Sequence, residues 1–268
     1  MNTIVLWELK RRRTALVWWT IGSIVMMVTI IALYPSIRDQ AAQMNQVINQ
    51  LPPELRGLKT GGSGTVDVGN PLEFLNSQLL YATMSMIWVI LAITRGSNIL
   101  GREEQTRTLE LLLARPVSRT RLLTAKALAL LLEFCVVSGI TLVLLLCLAP
   151  LFDLHVATGT LALATIYTAL FSLSFGYIAF ALQAASAMTK RAATVAAVAL
   201  GFGGYILASL SSLTDWLEVP AKFSPWHYFS PLTVLQGHLP HGLMVYLILV
   251  FIIGTLVAVA GFRHRDIE

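Results

Sequence analysis

Charge is scarce in this sequence. Asp, Glu, Lys and Arg make up 12% of its 268 residues, about half the share found in a soluble globular domain. Apolar residues make up 56%, which excludes an ordinary soluble domain and points to a polytopic membrane protein. Cysteine is nearly absent. Cys135 and Cys147 share one apolar run, too far apart on one helix to bond to each other and at no metal spacing. They are expected to be plain buried thiols. Catalytic signatures are missing as well: there is no H-E-x-x-H and no G-x-S-x-G. Gly61-Gly62-Ser63-Gly64 is not a phosphate loop, because no strand precedes it and no Gly-Lys-Ser/Thr follows. His227, His238 and His241 have no carboxylate or thiol at a helpful spacing, so they fit interface or capping roles better than a metal site. The expectation is a chain with no catalytic site, bound cofactor or metal of its own.

What the sequence has in quantity is long apolar runs. A helix needs about 20 apolar residues to cross a bilayer, and six stretches qualify: 14–34, 74–94, 127–149, 159–188, 192–213 and 242–262. They predict an all-α integral membrane protein with a single transmembrane domain spanning 1–268. The first run is too long for a signal-peptide core and lacks an A-x-A site, so a retained span is expected, stopped by Pro35. Residues 1–13 form an interfacial segment, with Ile4, Val5, Leu6 and Trp7 in the headgroup layer and Lys10-Arg11-Arg12-Arg13 facing anionic lipid. An outer loop, 35–73, follows. Within it Ile37, Ala41, Met44, Ile48 and Leu51 recur at helical spacing and predict an amphipathic helix ended by Pro52-Pro53. Gly201, Gly203 and Gly204 in the fifth run allow close helix approach. The outer segment 214–241, dense in Trp, Tyr, Phe and Pro, suits an interface belt. It can dip into lipid as broken helices only if protein covers it.

The few basic residues are distributed asymmetrically. With the N-terminus inside, the inner face holds Lys10 to Arg13, seven residues between Arg95 and Lys126, Lys190, Arg191, Arg263 and Arg265, fifteen in all. The outer face holds only Arg38, Arg56, Lys59 and Lys222. Lys and Arg mark the cytoplasmic side, so both termini are expected to be cytoplasmic.

The one long charged stretch is GREEQTRTLELLLARPVSRTRLLTAK, residues 101–126, within an inner loop taken as 95–126. Leu109, Leu112 and Leu113 form a narrow apolar stripe. Glu103, Arg107 and Glu110 form a charged face beside it, with Glu103 and Arg107 spaced to pair. Pro116 ends this helix, and Ser118 or Thr120 can cap the helix that re-enters lipid. Such a helix can dock into a groove on a partner, lie on headgroups, or remain a solvated loop.

Glu133 is the one acidic residue inside a predicted span. An ionisable group at that depth is costly and usually faces the bundle interior or a water-filled path. It is therefore a transport-path candidate, for which Glu133→Gln is expected to spare folding and impair transport. The bland alternative pairs it with Lys126, seven residues earlier on the same face. Ser172, Ser174 and Gln183 in the fourth span, with Ser209, Ser211 and Ser212 in the fifth, either line a polar route or act as interhelical glue.

With six spans, a large first outer loop, the run from Arg102-Glu103-Glu104 through Leu109 to Arg119, and the segment Ser224-Pro225-Trp226-His227-Tyr228-Phe229-Ser230-Pro231, the chain resembles the ABC-2 type permeases of ATP-binding-cassette transporters. The resemblance implies a coupling helix that contacts an ATPase subunit through Glu103, Arg107, Leu109, Glu110, Leu112, Leu113 and Arg115. It also implies that a separate subunit uses the ATP, that a second permease chain completes the transporter as a homodimer or with a sister permease, and that cargo is exported across the cytoplasmic (inner) membrane. A channel or secondary transporter driven by an ion gradient is the alternative. Such proteins usually show internal repeats and several intramembrane charges; this sequence shows no repeat and one such charge.

Overall fold

The structure, a computed structural model, describes residues 2–51, 67–105, 118–185, 190–211 and 215–264. Six helices long and apolar enough to cross a membrane stand among them, and no strand occurs among the described residues. The first span helix runs Asn2–Asp39. The second is continuous from Pro71 to Gln105, with a π-helical stretch at Leu75–Met84. The third is Arg119–Leu148 and the fourth Thr158–Ala185. The fifth joins Lys190–Val198, a π segment Ala199–Gly203, and Gly204–Leu210. The last is His241–His264.

The fourth span is the hub. It packs against the second, third, fifth and last spans, while the first lies along the third. Small residues make this possible. A Cβ on Gly96 would land on the carbonyl of Gly176, and one on Gly176 would land on the main chain of Ala92, so the second and fourth helices touch backbone to backbone. Gly261 faces the main chain of Ala185 in the same way. Of the three glycines singled out in the fifth span, Gly201 meets Val89 and Gly204 meets Ser224, whereas Gly203 has nothing within 4 Å. Ser172 and Ser174 act as glue: Ser172 Oγ donates to the Ser85 carbonyl at 3.3 Å, and Ser174 Oγ lies 3.2 Å from the Tyr246 hydroxyl. Val17, Trp18, Ile21, Val25, Leu249, Ile252, Ile253 and Leu256 are exposed. In water such a belt would be an aggregation surface; in a bilayer it meets its proper solvent. Cys135 and Cys147 belong to this outward surface and are not buried thiols.

The N-terminus departs from expectation. Residues 2–13 continue straight into the first span as one helix. Buried positions Val5, Glu8, Arg12, Leu16, Ser23, Met27, Ile31 and Tyr34 recur at three, four and seven residues, the signature of one helix face. Val5 and Arg12 thus turn into the bundle, with Glu8 between them, rather than toward headgroups and anionic lipid. Pro35 does not stop the helix either, which continues to Asp39. A proline inside a helix removes one backbone hydrogen bond. Tertiary contacts on both sides hold the helix together past it: the Tyr34 hydroxyl donates to the Gly69 carbonyl at 3.0 Å, and Arg38 pairs with Asp153 at 3.1 Å. The amphipathic helix of the outer loop forms as Ala41–Gln50, with none of its residues buried.

Serine–proline and asparagine–proline pairs punctuate one end of the bundle. Asn70, Ser224 and Ser230 each accept a backbone N–H as N-caps, and each is followed by a proline in the first helical turn, where a missing N–H costs nothing. The turn Pro225–Tyr228 and the helix Pro231–Leu235 fold back against the bundle. Trp226 and Phe229 are buried among Tyr81, Phe171 and Tyr205, with Phe171 and Phe229 stacked at 4.0 Å. The Trp226 indole N–H donates to the Gly201 carbonyl at 2.7 Å, inside the π segment of the fifth span. So only Trp226 and Phe229 of the aromatic segment are covered by protein, as broken helices at this level require; Trp216, Phe223 and Tyr228 are exposed.

Candidate functional site

The second span helix continues to Gln105 and the third begins at Arg119. Arg95 and its successors are thus helical and not loop. Glu103 belongs to this helix. Arg107, Leu109, Glu110, Leu112, Leu113 and Arg115 lie outside the described residues, as does Pro116. Ser118 is the cap of the third span: its hydroxyl accepts the Arg121 N–H at 3.3 Å.

Just inside these helix ends the structure gathers five buried charged side chains from three spans. Glu8 and Arg12 come from the first, Arg95 from the second, and Lys126 and Glu133 from the third. Glu8 is central. One of its oxygens accepts from Lys126 Nζ, and the other accepts from Arg12 Nε at 3.1 Å. Arg12 Nη2 then donates to the Asn98 carbonyl at 3.1 Å, which ties the first span to the second. Arg95 Nε lies 3.5 Å from Glu133 Oε2. Trp7 lies under the guanidinium of Arg11 at 4.8 Å and near Lys126 at 6.0 Å, within cation–π range.

Lys126 and Glu133 do share a face of the third helix, but they do not pair. Lys126 reaches Glu8, and Glu133 faces Arg95. Seven residues on a helix separate their Cα atoms by about 10 Å along the axis, and each finds a neighbouring helix nearer than the other. Mutual pairing is what makes burial of these charges tolerable, since an isolated buried ion costs several kcal/mol or more.

The two halves of the network differ. Around Glu8 both oxygens are bonded. Around Glu133 neither carboxylate oxygen has a hydrogen bond, and neither do Nε and Nη2 of Arg95. The Trp88 indole N–H, seven residues before Arg95 on the same helix, is likewise buried without an acceptor, its ring edge-on to Phe134 at 6.1 Å. Donors and acceptors with open positions therefore stand together between the second and third spans.

The sequence pointed to Glu133 and Lys126 but not to Glu8, Arg12, Asn98 or Trp88. A signal was available. Extending the helical period of the first span backward from Leu16 passes through Arg12, Glu8 and Val5, which marks Glu8 as inward-facing.

A scan against family models matches residues 2–214 to a model described as ABC-2 family transporter protein. The matched part carries the whole ion network and the charged stretch 101–126; the 224–231 segment and the last span lie beyond it. No curated protein and no solved structure matches the chain. With five of the six spans inside the matched region, together with a multi-pass helical fold, the chain belongs to the ABC-2 family of transporter proteins, membrane components of ATP-binding-cassette transporters.

Proposed function

We propose that this chain is the permease half of an exporter in the cytoplasmic membrane, driven by ATP that a separate nucleotide-binding subunit hydrolyses, and that it works with a second permease chain. Leu109, Leu112 and Leu113 fill a groove on the ATPase subunit, and Glu103, Arg107, Glu110 and Arg115 flank that contact. The observation that supports this is where the buried charges lie. The stretch that would receive the push precedes the third span in sequence, and the third span carries Lys126 and Glu133 about 10 Å and 21 Å beyond Arg119, each paired to a different helix.

A push on the start of the third helix therefore strains pairs to the first and second spans together. Closure of the ATPase subunits shifts the third helix, the pairs rearrange, and the two resulting membrane states bind cargo differently, as transport requires. Glu133 is the transport-path candidate within this scheme. Its buried pair with Arg95 stands at 3.5 Å without a hydrogen bond, so a polar cargo group can compete for either partner.

The test is capture of the ATPase subunit by the permease, with its ATPase rate measured with and without permease. Leu112→Ala is expected to weaken capture by less than the 2–5 kcal/mol (approximate range) of a core leucine, since the interface is partly wet. Glu110→Lys is expected to weaken capture or uncouple hydrolysis from transport. Wild-type capture and coupling in both variants overturns the docking assignment. A helix that merely lies on headgroups predicts that outcome, with Glu110→Lys strengthening attraction to anionic lipid.

A further inference from the structure

Between the third, fourth and last spans lies an apolar cleft of about 490 Å³ that the transport scheme does not use. Its volume is in the range of small-molecule sites, about 300–1,000 Å³. Leu130, Leu173, Phe180 and Ala258 form a buried floor. Leu128 and Leu131, both exposed, form an outer lip. Its polar lining is the Tyr177–Thr255 hydroxyl pair at 2.7 Å and Thr124. The Tyr177 ring lies over Gly254, where any side chain would collide with it, so a glycine in the last span keeps this wall flat.

The position of the cleft along the helices is informative. On the third span it runs from Leu123 to Leu131, about 12 Å of helix, close to the half-thickness of a roughly 30 Å hydrocarbon core. That stretch begins about one turn after Arg119 and two residues after Arg121, in the half of the bundle assigned to the cytoplasmic leaflet by the basic-residue distribution. Arg121 is exposed and stands on the face of Thr124, Leu128 and Leu131 by helical spacing. Arg119 bridges the mouth, its Nη1 donating to the Phe262 carbonyl at 3.4 Å. Two cations thus stand within about one helical turn of the Leu123 end of an apolar slot about one leaflet deep.

We infer that this cleft is a binding site for one anionic glycerophospholipid of the inner leaflet, with an acyl chain in the slot and the phosphate at Arg119 and Arg121. The apolar slot alone would accept any lipid tail. The cations at its mouth select the headgroup, because basic residues at the surface attract anionic lipid and guanidinium groups suit phosphate. The inference stands apart from the ATPase contact and from the choice of cargo.

The experiment places the full chain in bilayers holding equal amounts of phosphatidylglycerol and phosphatidylcholine, extracts it in detergent, and quantifies retained lipid by mass spectrometry. Wild type is expected to retain phosphatidylglycerol selectively. Arg121→Gln and Arg119→Gln should each lower that selectivity about fivefold, the effect of one surface cation. Ala127→Phe, which fills the slot, should abolish retention of either lipid; Thr124→Trp at the mouth should do the same should Ala127→Phe fail to fold. Two results overturn the inference. One is equal retention of both lipids by wild type. The other is a slot variant that keeps its lipid or changes the oligomeric mass instead, which assigns the cleft to no lipid or to a second chain.

Discussion

Replacing Glu133 by Gln removes one charge from a pair that solvent scarcely reaches: the Arg95 and Glu133 side chains are 9% and 1% exposed. Glu8 offers no relief, since both its oxygens are already engaged by Lys126 and Arg12. The guanidinium of Arg95 would then remain buried opposite a neutral amide. Breaking a buried pair in this way costs about 3–5 kcal/mol, because the remaining charge keeps its desolvation penalty without its partner. Arg95→Gln strands the carboxylate and should cost a similar amount. The double variant strands neither charge and should lie within about 1 kcal/mol of wild type, since a buried ion pair and a neutral replacement are often close in stability. The expectation from sequence alone, that Glu133→Gln spares folding, is therefore revised to one of destabilisation. The assay is equilibrium unfolding of the purified chain in mixed micelles for wild type, both single variants and the double. A double variant whose loss equals the sum of the single losses has no coupling energy, and the Arg95–Glu133 assignment would be refuted.

Three further perturbations test other levels of the structure. Gly96→Ala drives a methyl into the Gly176 carbonyl and should cost about 1–3 kcal/mol through overpacking; Gly22→Ala, with nothing within 4 Å, should be neutral or gain up to about 1 kcal/mol. Equal thermal stability of the two variants would contradict the close contact of the second and fourth spans. Trp226→Phe keeps the aromatic packing but removes the indole donor of the Gly201 carbonyl, which still accepts from the Gly204 backbone N–H, and a loss of about 0.5–1.5 kcal/mol is expected in the same unfolding assay. In a background lacking Cys135 and Cys147, an impermeant thiol reagent applied to intact cells should label Thr65→Cys and spare Ser118→Cys; the reverse pattern would invert the topology.

The sequence by itself determined the membrane class, the number and order of the spans, and their expected orientation. These are sums over local stretches: hydropathy over about 20 residues, and Lys and Arg counted loop by loop. Capping at Ser118 was legible for the same reason, because its hydroxyl acts on a backbone N–H three residues away. Only the tertiary structure decided which charge meets which. Lys126 reaches Glu8 across 118 positions of sequence, and Glu133 faces Arg95, because pairing depends on how each helix is rotated about its axis and which helix lies beside it. The same holds for Pro35, which local rules make a stop and neighbouring contacts make an interior residue. It holds for glycine as well: Gly96, beside Arg95, makes a backbone contact with the fourth span that Gly203, inside an apolar run, does not make with anything, and no local pattern says which glycine does so. A helix interface is a property of two surfaces, and one-dimensional patterning describes only one of them.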